Sequence, residues 1–559
     1  MSVLTIILFY NCTILMVDKN DSKAEAMAIY DDKILAIGKE TEVRNEINHF
    51  KRKFKDDPNK NIRIIENNLR GACIVPGFID AHMHPAIAIY YKTQLNLSKI
   101  KSYSELETIL KRQNIKIEKD EWILGYDFME QRFEDPDEQF FPDRYKLDEF
   151  CPNRPVIILR YDGHICCVNS IALEKIGISK ENVKEYSPAS GEIQLDLNEN
   201  PTGILLEGAI SLALEKAAMP SNERLLEAGK KLSFELASFG ITTCGIIIQL
   251  GEIGIAGKIG RLELPFIKYM IKEGVIVQDF VFYLVTDKPN KIIKVKKSFT
   301  KLFGKETQFS VGGLKLWADG SFGASTSYMF EPFTDSPNDN TGLMIIEKDK
   351  LFEIFNEAYK LGLSIACHAI GDRANRIVVD IFRDILNINE RNKSIRLRIE
   401  HASLVNKKIL ADAADLDLIF VCQPSFINSE YKWLEKRIGS RRIKYVYPFR
   451  SIIDSGIILA GASDAPIESA NVLEVFHTCV TRKGFVPEQS ITISETLKMY
   501  TYNAAYALGQ ESIKGSLEKG KLADFVILDK NILTQPIDKL TNVHITKTYH
   551  HGKQIFPME

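Results

Sequence analysis

The sequence predicts an α/β fold centred on a (β/α)8 barrel of the TIM type. A large insertion follows the first barrel strand, and both chain ends contribute to a small β-sandwich. Three observations predict this. Between Ala72 and about Gln510, eight continuous apolar runs alternate with longer helical-looking segments, and buried parallel strands read as continuous apolar runs because both faces are covered. Both chain ends carry short strand patterns instead. Several of the eight runs carry His or Asp at or next to their C-terminal end, where such a barrel collects its functional side chains.

Residues 1–70 hold TIILFYN, AMAIY, KILAIG and IRIIENNLR, expected as the N-terminal part of the sandwich. AEAMAIYDDKILAIG reads as a hairpin turning at Asp31 and Asp32. The apolar start MSVLTIILFYNCTILMVD has no basic n-region and is interrupted by Asn11 and Asp18. It therefore reads as a buried strand and not as a secretory signal. NEINHFKRKFKDDPNK reads as a solvated loop or helix.

Residues 71–510 are the expected barrel domain. Its runs are ACIVPGFIDAH, GITTCGIII, VIVQDFVFYLV, GGLKLWA, LSIACHA, IRLRIEHA, DLIFVCQPS and IILAGASDA; eight strand-then-helix units argue for closure. The gap from about residue 85 to 238 holds WILGYDF, PVIILRYDGHICCVNSIAL and PTGILLEGA. An insertion on the loop after a barrel strand sits over the active-site face, so it is expected as a substrate-side subdomain. Residues 511–559 return to short strands, GSLEKGKLADFVILDK beginning near the boundary and ITKTYHHGKQI after it, which would complete the sandwich.

Composition bounds the function. The 559 residues exceed one compact core and fit two or three domains. With 72 basic and 74 acidic residues the net charge is -2, so no positive excess is available for nucleic acid or an anionic membrane. The Lys-rich stretch Lys291–Lys305 lacks aromatic interleaving and reads as a solvated helix face. Beyond the N-terminus, no run approaches the ~20 apolar residues of a membrane span. The nine cysteines form no CxxC pair and mostly sit in apolar runs; they read as buried free thiols in a reducing compartment, which places the protein in the cytoplasm.

Two of the ten histidines, His82 and His84, stand in FIDAHMHP. On a strand, positions i and i+2 face the same way, which is metal-ligand spacing, although an HxH pair alone is a weak signal. The other strand ends strengthen it. His368 closes LSIACH, His401 closes IRLRIEH and Asp464 closes IILAGASD. If the barrel closes, all five converge on one point. Lys315, within the run GGLKLWA, is costly to bury unless neutral or paired. Two readings are open for it: pairing with Asp319 or another carboxylate, or reaction with CO2 to a carbamate that can ligate metal. Glu400 would face away from His401 on a regular strand, as a supporting carboxylate. His164 in the insertion, and Asp372 with Arg373 after His368, are candidate substrate contacts; structural loop roles are the alternative. Trp122 and Tyr126 read as core. His49, His477, His544, His550 and His551 lack strand-end context and receive no role.

The order HxH, Lys, His, His, Asp resembles the amidohydrolase superfamily with a binuclear metal centre. VPGFIDAHMHP, RYDGHICCVNSIAL, PTGILLEGA, GGLKLWADGSFGAST, CHAIGDRAN, RIEHASL, SDAPIE and GSLEKGKLADFVILD resemble the subfamily that includes N-substituted formamide deformylase and many uncharacterised relatives. The resemblance runs from the first strands to the C-terminus. It implies that His82, His84 and Asp464 bind the more buried metal, that His368 and His401 bind the second, and that carbamylated Lys315 bridges them. The expected cofactor is one or two divalent metals per chain, zinc by ligand type. Deaminases of the superfamily carry a Glu shortly after the third His; AIGDRAN follows His368 here, which points away from deamination. The expected chemistry is hydrolysis of a carbon–nitrogen bond other than a peptide bond, in an amide or N-substituted formamide. A metal-bound hydroxide attacks, and Asp464 serves as general base and then acid. Ester or lactone hydrolysis at the same centre is the nearest alternative, and a non-catalytic binding or regulatory protein a more distant one. The partner is a small-molecule substrate, and short edge strands under an outer helical ring are compatible with a homodimer.

Overall fold

The computed structural model describes residues 2–54, 60–116, 121–185, 191–217, 219–251, 257–303, 308–336 and 339–558. Eight parallel strands pair in chain order: β1 (Phe78–Met83), β2 (Ile241–Gln249), β3 (Asp279–Val285), β4 (Phe309–Trp317), β5 (Ser364–Ala369), β6 (Leu397–His401), β7 (Ile419–Cys422) and β8 (Ile458–Gly461). Each falls in or overlaps one of the eight apolar runs, with β4 beginning three residues before GGLKLWA. The seam between β8 and β1 is closed just beyond the strands, where the Asp464 N–H donates to His82 O at 2.9 Å and the His84 N–H to Ala465 O at 2.8 Å.

One run divides. Of ACIVPGFIDAH only the part from Phe78 onward enters the barrel, while Cys73–Pro76 pairs antiparallel with Phe525–Leu528. Pro76 has no N–H with which to extend a ladder. At Gly77 a Cβ would lie 2.4 Å from Thr242 Oγ1, so the chain leaves one sheet and enters the other at a point where only glycine fits.

The chain ends share one eight-stranded sheet. Ser2–Leu15 pairs with Lys23–Tyr30, Lys60–Asn68 and Cys73–Pro76, and the strands Phe525–Leu528, Ile545–His550 and Lys553–Phe556 continue beyond Cys73–Pro76. The sheet curls: Phe9 meets Phe525 at 5.1 Å between ring centroids, although two strand spacings in a flat sheet would separate them by ~10 Å. The hairpin turns at Asp31 and Asp32, with Asp31 at φ 56°. Helix Glu40–Arg52 covers the first part of the polar stretch, whose residues 55–59 lie outside the described ones.

The segment between β1 and β2 builds its own six-stranded sheet, running in space as Gly191–Leu195, Pro201–Glu207, Ile165–Val168, Val156–Arg160, Ile123–Phe128 and Leu95–Asn96. Trp122 and Tyr126 pack against its core. The Lys-rich stretch forms helix Pro289–Phe303 with Lys291, Lys294, Lys296, Lys297 and Lys301 exposed; residues 304 and 305 are outside the described ones. Among the described residues no helix is long and apolar enough to cross a membrane. All nine cysteines are free and buried.

Candidate metal centre

The site forms at the C-terminal ends of the barrel strands, where the backbone stops obeying strand alternation. His401 ends β6 at φ 73°, and Asp464, beyond β8, stands at φ 60°. Non-glycine residues in this region are uncommon and cluster at functional sites. The consequence at β6 corrects the regular-strand expectation for Glu400. Arg398 and Glu400 point into the barrel, where Arg398 lies over the Tyr283 ring at 4.2 Å and Glu400 meets His82. His401 also reaches the site because its left-handed backbone redirects it.

The imidazoles are oriented by what their second nitrogens touch. His82 Nδ1 lies 2.5 Å from Glu400 Oε2, leaving Nε2 buried with no hydrogen-bond partner among the described residues. His401 Nδ1 is 2.9 Å from Gln423 Oε1, which frees its Nε2. His368 reverses the pattern, with Nε2 3.0 Å from Gly320 O, which frees Nδ1. Engaging one ring nitrogen fixes the tautomer and presents the other as a lone pair, the usual arrangement of a metal-ligating histidine. The rings of His368 and His401 are 4.3 Å apart, and those of His82 and His401 5.3 Å apart.

Asp464 completes the group. Its Oδ1 lies 3.4 Å from His82 Nε2 and 3.2 Å from His84 Nε2, but neither contact has hydrogen-bond geometry, and Oδ1 is buried without a donor. His82, His401 and Asp464 each place one ligand atom within 4.8 Å of the others. Burial holds His82 and His368 well below their ordinary value and brings His401 to about 4. These three rings are therefore neutral and able to ligate. Asp80 braces the arrangement by accepting from the N–H of His82 and of Ser463, each at 3.1 Å.

Lys315 is wholly buried, and its Nζ has no hydrogen-bond partner among the described residues. Asp319 does not pair with it; that carboxylate instead accepts the backbone N–H groups of Tyr328, Ile370 and Gly371. Burial lowers Lys315 to about 8, against the pull of Glu400 and Asp464. Unpaired atoms of His82, Asp464 and Lys315 inside one closed barrel are costly unless something binds them. The donor set, imidazole nitrogen with carboxylate oxygen, fits a divalent cation.

The insertion roofs the site. His164 Nδ1 is 2.8 Å from Glu207 Oε2, and its ring lies 5.7 Å from that of His368. Burial would depress His164, but the Glu207 charge and hydrogen bond outweigh it and push the ring up to about 9. Glu207 also accepts from Thr326 Oγ1 at 2.6 Å, and Asp162 accepts from Ser321 Oγ at 2.9 Å. Glu207 escaped sequence reading, although a lone carboxylate ending the alternating strand of PTGILLEGA was a usable signal. Asp372 accepts the Phe330 N–H at 3.0 Å, and the Arg373 guanidinium stacks on Tyr328 at 4.5 Å. The structure thus ties these two residues to segment 328–330.

His550 and His551, given no role from sequence, join Asp279, Asp524 and Lys514 in a cluster at the start of β3, the opposite end of the barrel.

Comparisons with known proteins identify the family. A family model described as the amidohydrolase family matches residues 66–556. The putative amidohydrolase YtcJ of Bacillus subtilis is 28% identical over 504 residues, 88% of this chain and 90% of that protein. N-substituted formamide deformylase of Arthrobacter pascens is 26% identical over 570 residues, 98% of this chain and 97% of that enzyme. The crystal structure of an uncharacterised metal-dependent hydrolase from Pyrococcus horikoshii superposes with a TM-score of 0.70 at 26% identity, covering 95% of this chain and 99% of that one. With the matched family model spanning most of the chain, the chain belongs to the amidohydrolase family.

Proposed function

We propose that the protein is a metal-dependent hydrolase of carbon–nitrogen bonds other than peptide bonds, acting on an amide or N-substituted formamide. The observation that carries this is the convergence of unpaired donor atoms from His82, Asp464 and Lys315 with oriented imidazoles of His368 and His401. Likeness to N-substituted formamide deformylase supports the bond type. His82, His84 and Asp464 would hold one cation, zinc by ligand chemistry, and His368 with His401 a second. Lys315, as its neutral amine, would add CO2 with loss of a proton to give the bridging carbamate. A divalent cation so held supplies Lewis acidity, to the scissile carbonyl and to the water that attacks it.

The chain's own groups do the rest. Asp464, hydrogen-bonded to no donor at Oδ1, takes the proton of the attacking water and gives it up towards the leaving nitrogen. Glu400 keeps His82 in its ligating tautomer, and Gln423 does so for His401. The insertion excludes bulk water, and His164 contacts the substrate from it. Asp372 and Arg373 act on the substrate by holding segment 328–330 in place. The buried thiols favour a cytoplasmic setting, the balanced charge disfavours nucleic acid and membrane as partners, and the short edge strands are compatible with a homodimer.

The test is elemental analysis of protein purified without chelator and with bicarbonate, beside Lys315→Ala. Close to two metals per chain, falling in the variant, together with turnover of formamides or amides, is the expected result. One metal unaffected by Lys315→Ala removes the carbamate; turnover of esters or lactones alone replaces the bond type; no metal after reconstitution overturns the hydrolase reading.

A further inference from the structure

His164 is buried, yet it belongs to no ligand set. Its place is set by the insertion sheet. Ile165 pairs with Leu206 in the antiparallel ladder, and the Glu207 N–H donates to His164 O at 3.0 Å, so the two side chains leave the same end of that sheet. Glu207 stands at φ 50°, which for a non-glycine residue is a strained conformation held by its surroundings. Its two oxygens divide their partners: Oε2 takes His164 Nδ1 at 2.8 Å, and Oε1 takes Thr326 Oγ1 at 2.6 Å. Thr326 lies on the loop after β4, the loop whose Gly320 carbonyl also orients His368. His164 Nε2 has no hydrogen-bond partner among the described residues, and the ring lies beside that of His368. A carboxylate on Nδ1 with Nε2 turned to a reacting centre is the arrangement by which enzymes orient an imidazole for proton transfer.

We infer that His164 is a catalytic residue lent by the insertion to the metal centre, passing a proton from Nε2 to the leaving nitrogen, with Glu207 as its positioning residue. This rests on the carbon–nitrogen reading above. As the C–N bond breaks, its electron pair goes to nitrogen, which takes the Nε2 proton. The imidazole is left neutral with its Nδ1–H on Glu207. The proton that Asp464 took from the attacking water then replaces the one His164 gave up, so atoms and charge balance over the cycle. The substrate class that needs this is an amide or formamide of a basic amine, whose nitrogen leaves only when protonated.

The experiment compares wild type, His164→Asn and Glu207→Gln on a formamide series running from N-alkyl to N-(4-nitrophenyl), with metal content measured for each. Expected are unchanged metal content, a loss in kcat of about 10²- to 10³-fold on the N-alkyl compound, and a loss several-fold at most on the nitrophenyl compound, whose amine leaves with little help. In metal-free protein labelled with 15N-histidine, His164 at neutral pH should carry a proton on both ring nitrogens, and its Nδ1 proton should lose its low-field shift in Glu207→Gln. Equal losses across the series, loss of metal in either variant, or a proton on Nε2 alone would overturn the assignment. If His164→Asn does not fold, Glu207→Gln decides by the same criteria. A wild type that turns over no formamide at all defeats the carbon–nitrogen reading and this assignment with it; an active wild type with uniform losses defeats the assignment alone.

Discussion

Glu400 Oε2 lies 2.5 Å from His82 Nδ1 inside the barrel, although 318 positions separate the two residues in the chain. The same carboxylate is held by Arg398 through Nε at 2.7 Å and Nη2 at 2.9 Å, and Arg398 in turn donates to Ala81 O at 2.9 Å. Strand β6 thereby sets the tautomer of His82, the first candidate ligand of β1. Glu400→Ala should cost 10- to 100-fold in metal affinity, on the order seen for outer-shell partners. It should also destabilise the metal-free chain by roughly 3–5 kcal/mol, because it leaves the Arg398 guanidinium buried and unpaired. Zinc competition titration and chemical denaturation read the two effects separately. A variant with unchanged affinity would show that Glu400 serves the fold alone.

Lys315 is a site where stability and function oppose each other. Its amine is buried without a partner, so Lys315→Met should make the metal-free protein more stable, by about 1–3 kcal/mol, while lowering metal content. Denaturant melts of both metal-free forms check the first effect and elemental analysis the second. A destabilised methionine variant would mean that the amine has a stabilising partner in solution.

Metal removal should lower stability by mass action. A cation present at a hundredfold excess over its dissociation constant contributes about 2.7 kcal/mol. Chelator treatment should therefore shift the denaturation midpoint of wild type down and leave that of Asp464→Asn almost unmoved. Equal shifts in both would place the binding elsewhere in the chain.

The cluster at the other end of the barrel predicts a pH dependence. Lys514 donates to Asp524 Oδ2 at 2.9 Å and to Thr243 Oγ1 at 2.8 Å, and also pairs with Asp279. His551 Nε2 lies 3.0 Å from Asp279 Oδ2. Burial works against the charged ring, but the hydrogen bond and charge of Asp279 raise His551 above its ordinary value of 6.5. A raised pKa in the folded state means that the contribution is fully present below pH 6.5 and is lost as pH rises through the folded value. The stability gap between wild type and His551→Gln should therefore be larger near about pH 6 than near about pH 9. A gap independent of pH would assign His551 a packing role only.

Lys514→Met should cost roughly 3–5 kcal/mol, since Asp279 and Asp524 would keep buried charge without their cation. Denaturation should show this loss with metal content at the catalytic end unchanged. A neutral effect would mean that the two carboxylates take up protons at little cost.

Much of this molecule is local in origin and was readable as such. The eight apolar runs declare parallel strands because a strand covered on both faces must be apolar throughout. His82, His84, His368, His401 and Asp464 declare themselves because each follows or ends such a run, and strand ends are where a barrel gathers side chains. The hairpin at Asp31 and Asp32 is equally local. The division of the first run at Pro76 and Gly77 was less visible, because apolarity does not report which sheet a strand joins.

What the sequence by itself determined is therefore the barrel and the gathering of candidate ligands at its strand ends, both properties of periodicity and residue type. Only the tertiary structure decided how those ligands are aimed. Glu400 finds His82, Gln423 finds His401 and Gly320 finds His368 through contacts between different strand ends and loops. The left-handed backbone of His401 and Asp464 overrides the alternation on which a strand reading depends. Glu207 meets His164 by ladder register within the insertion and meets Thr326 by docking on the barrel. Hydrogen-bond partners far apart in sequence leave no periodic trace, because direction and distance at such contacts are set by packing once the barrel has closed.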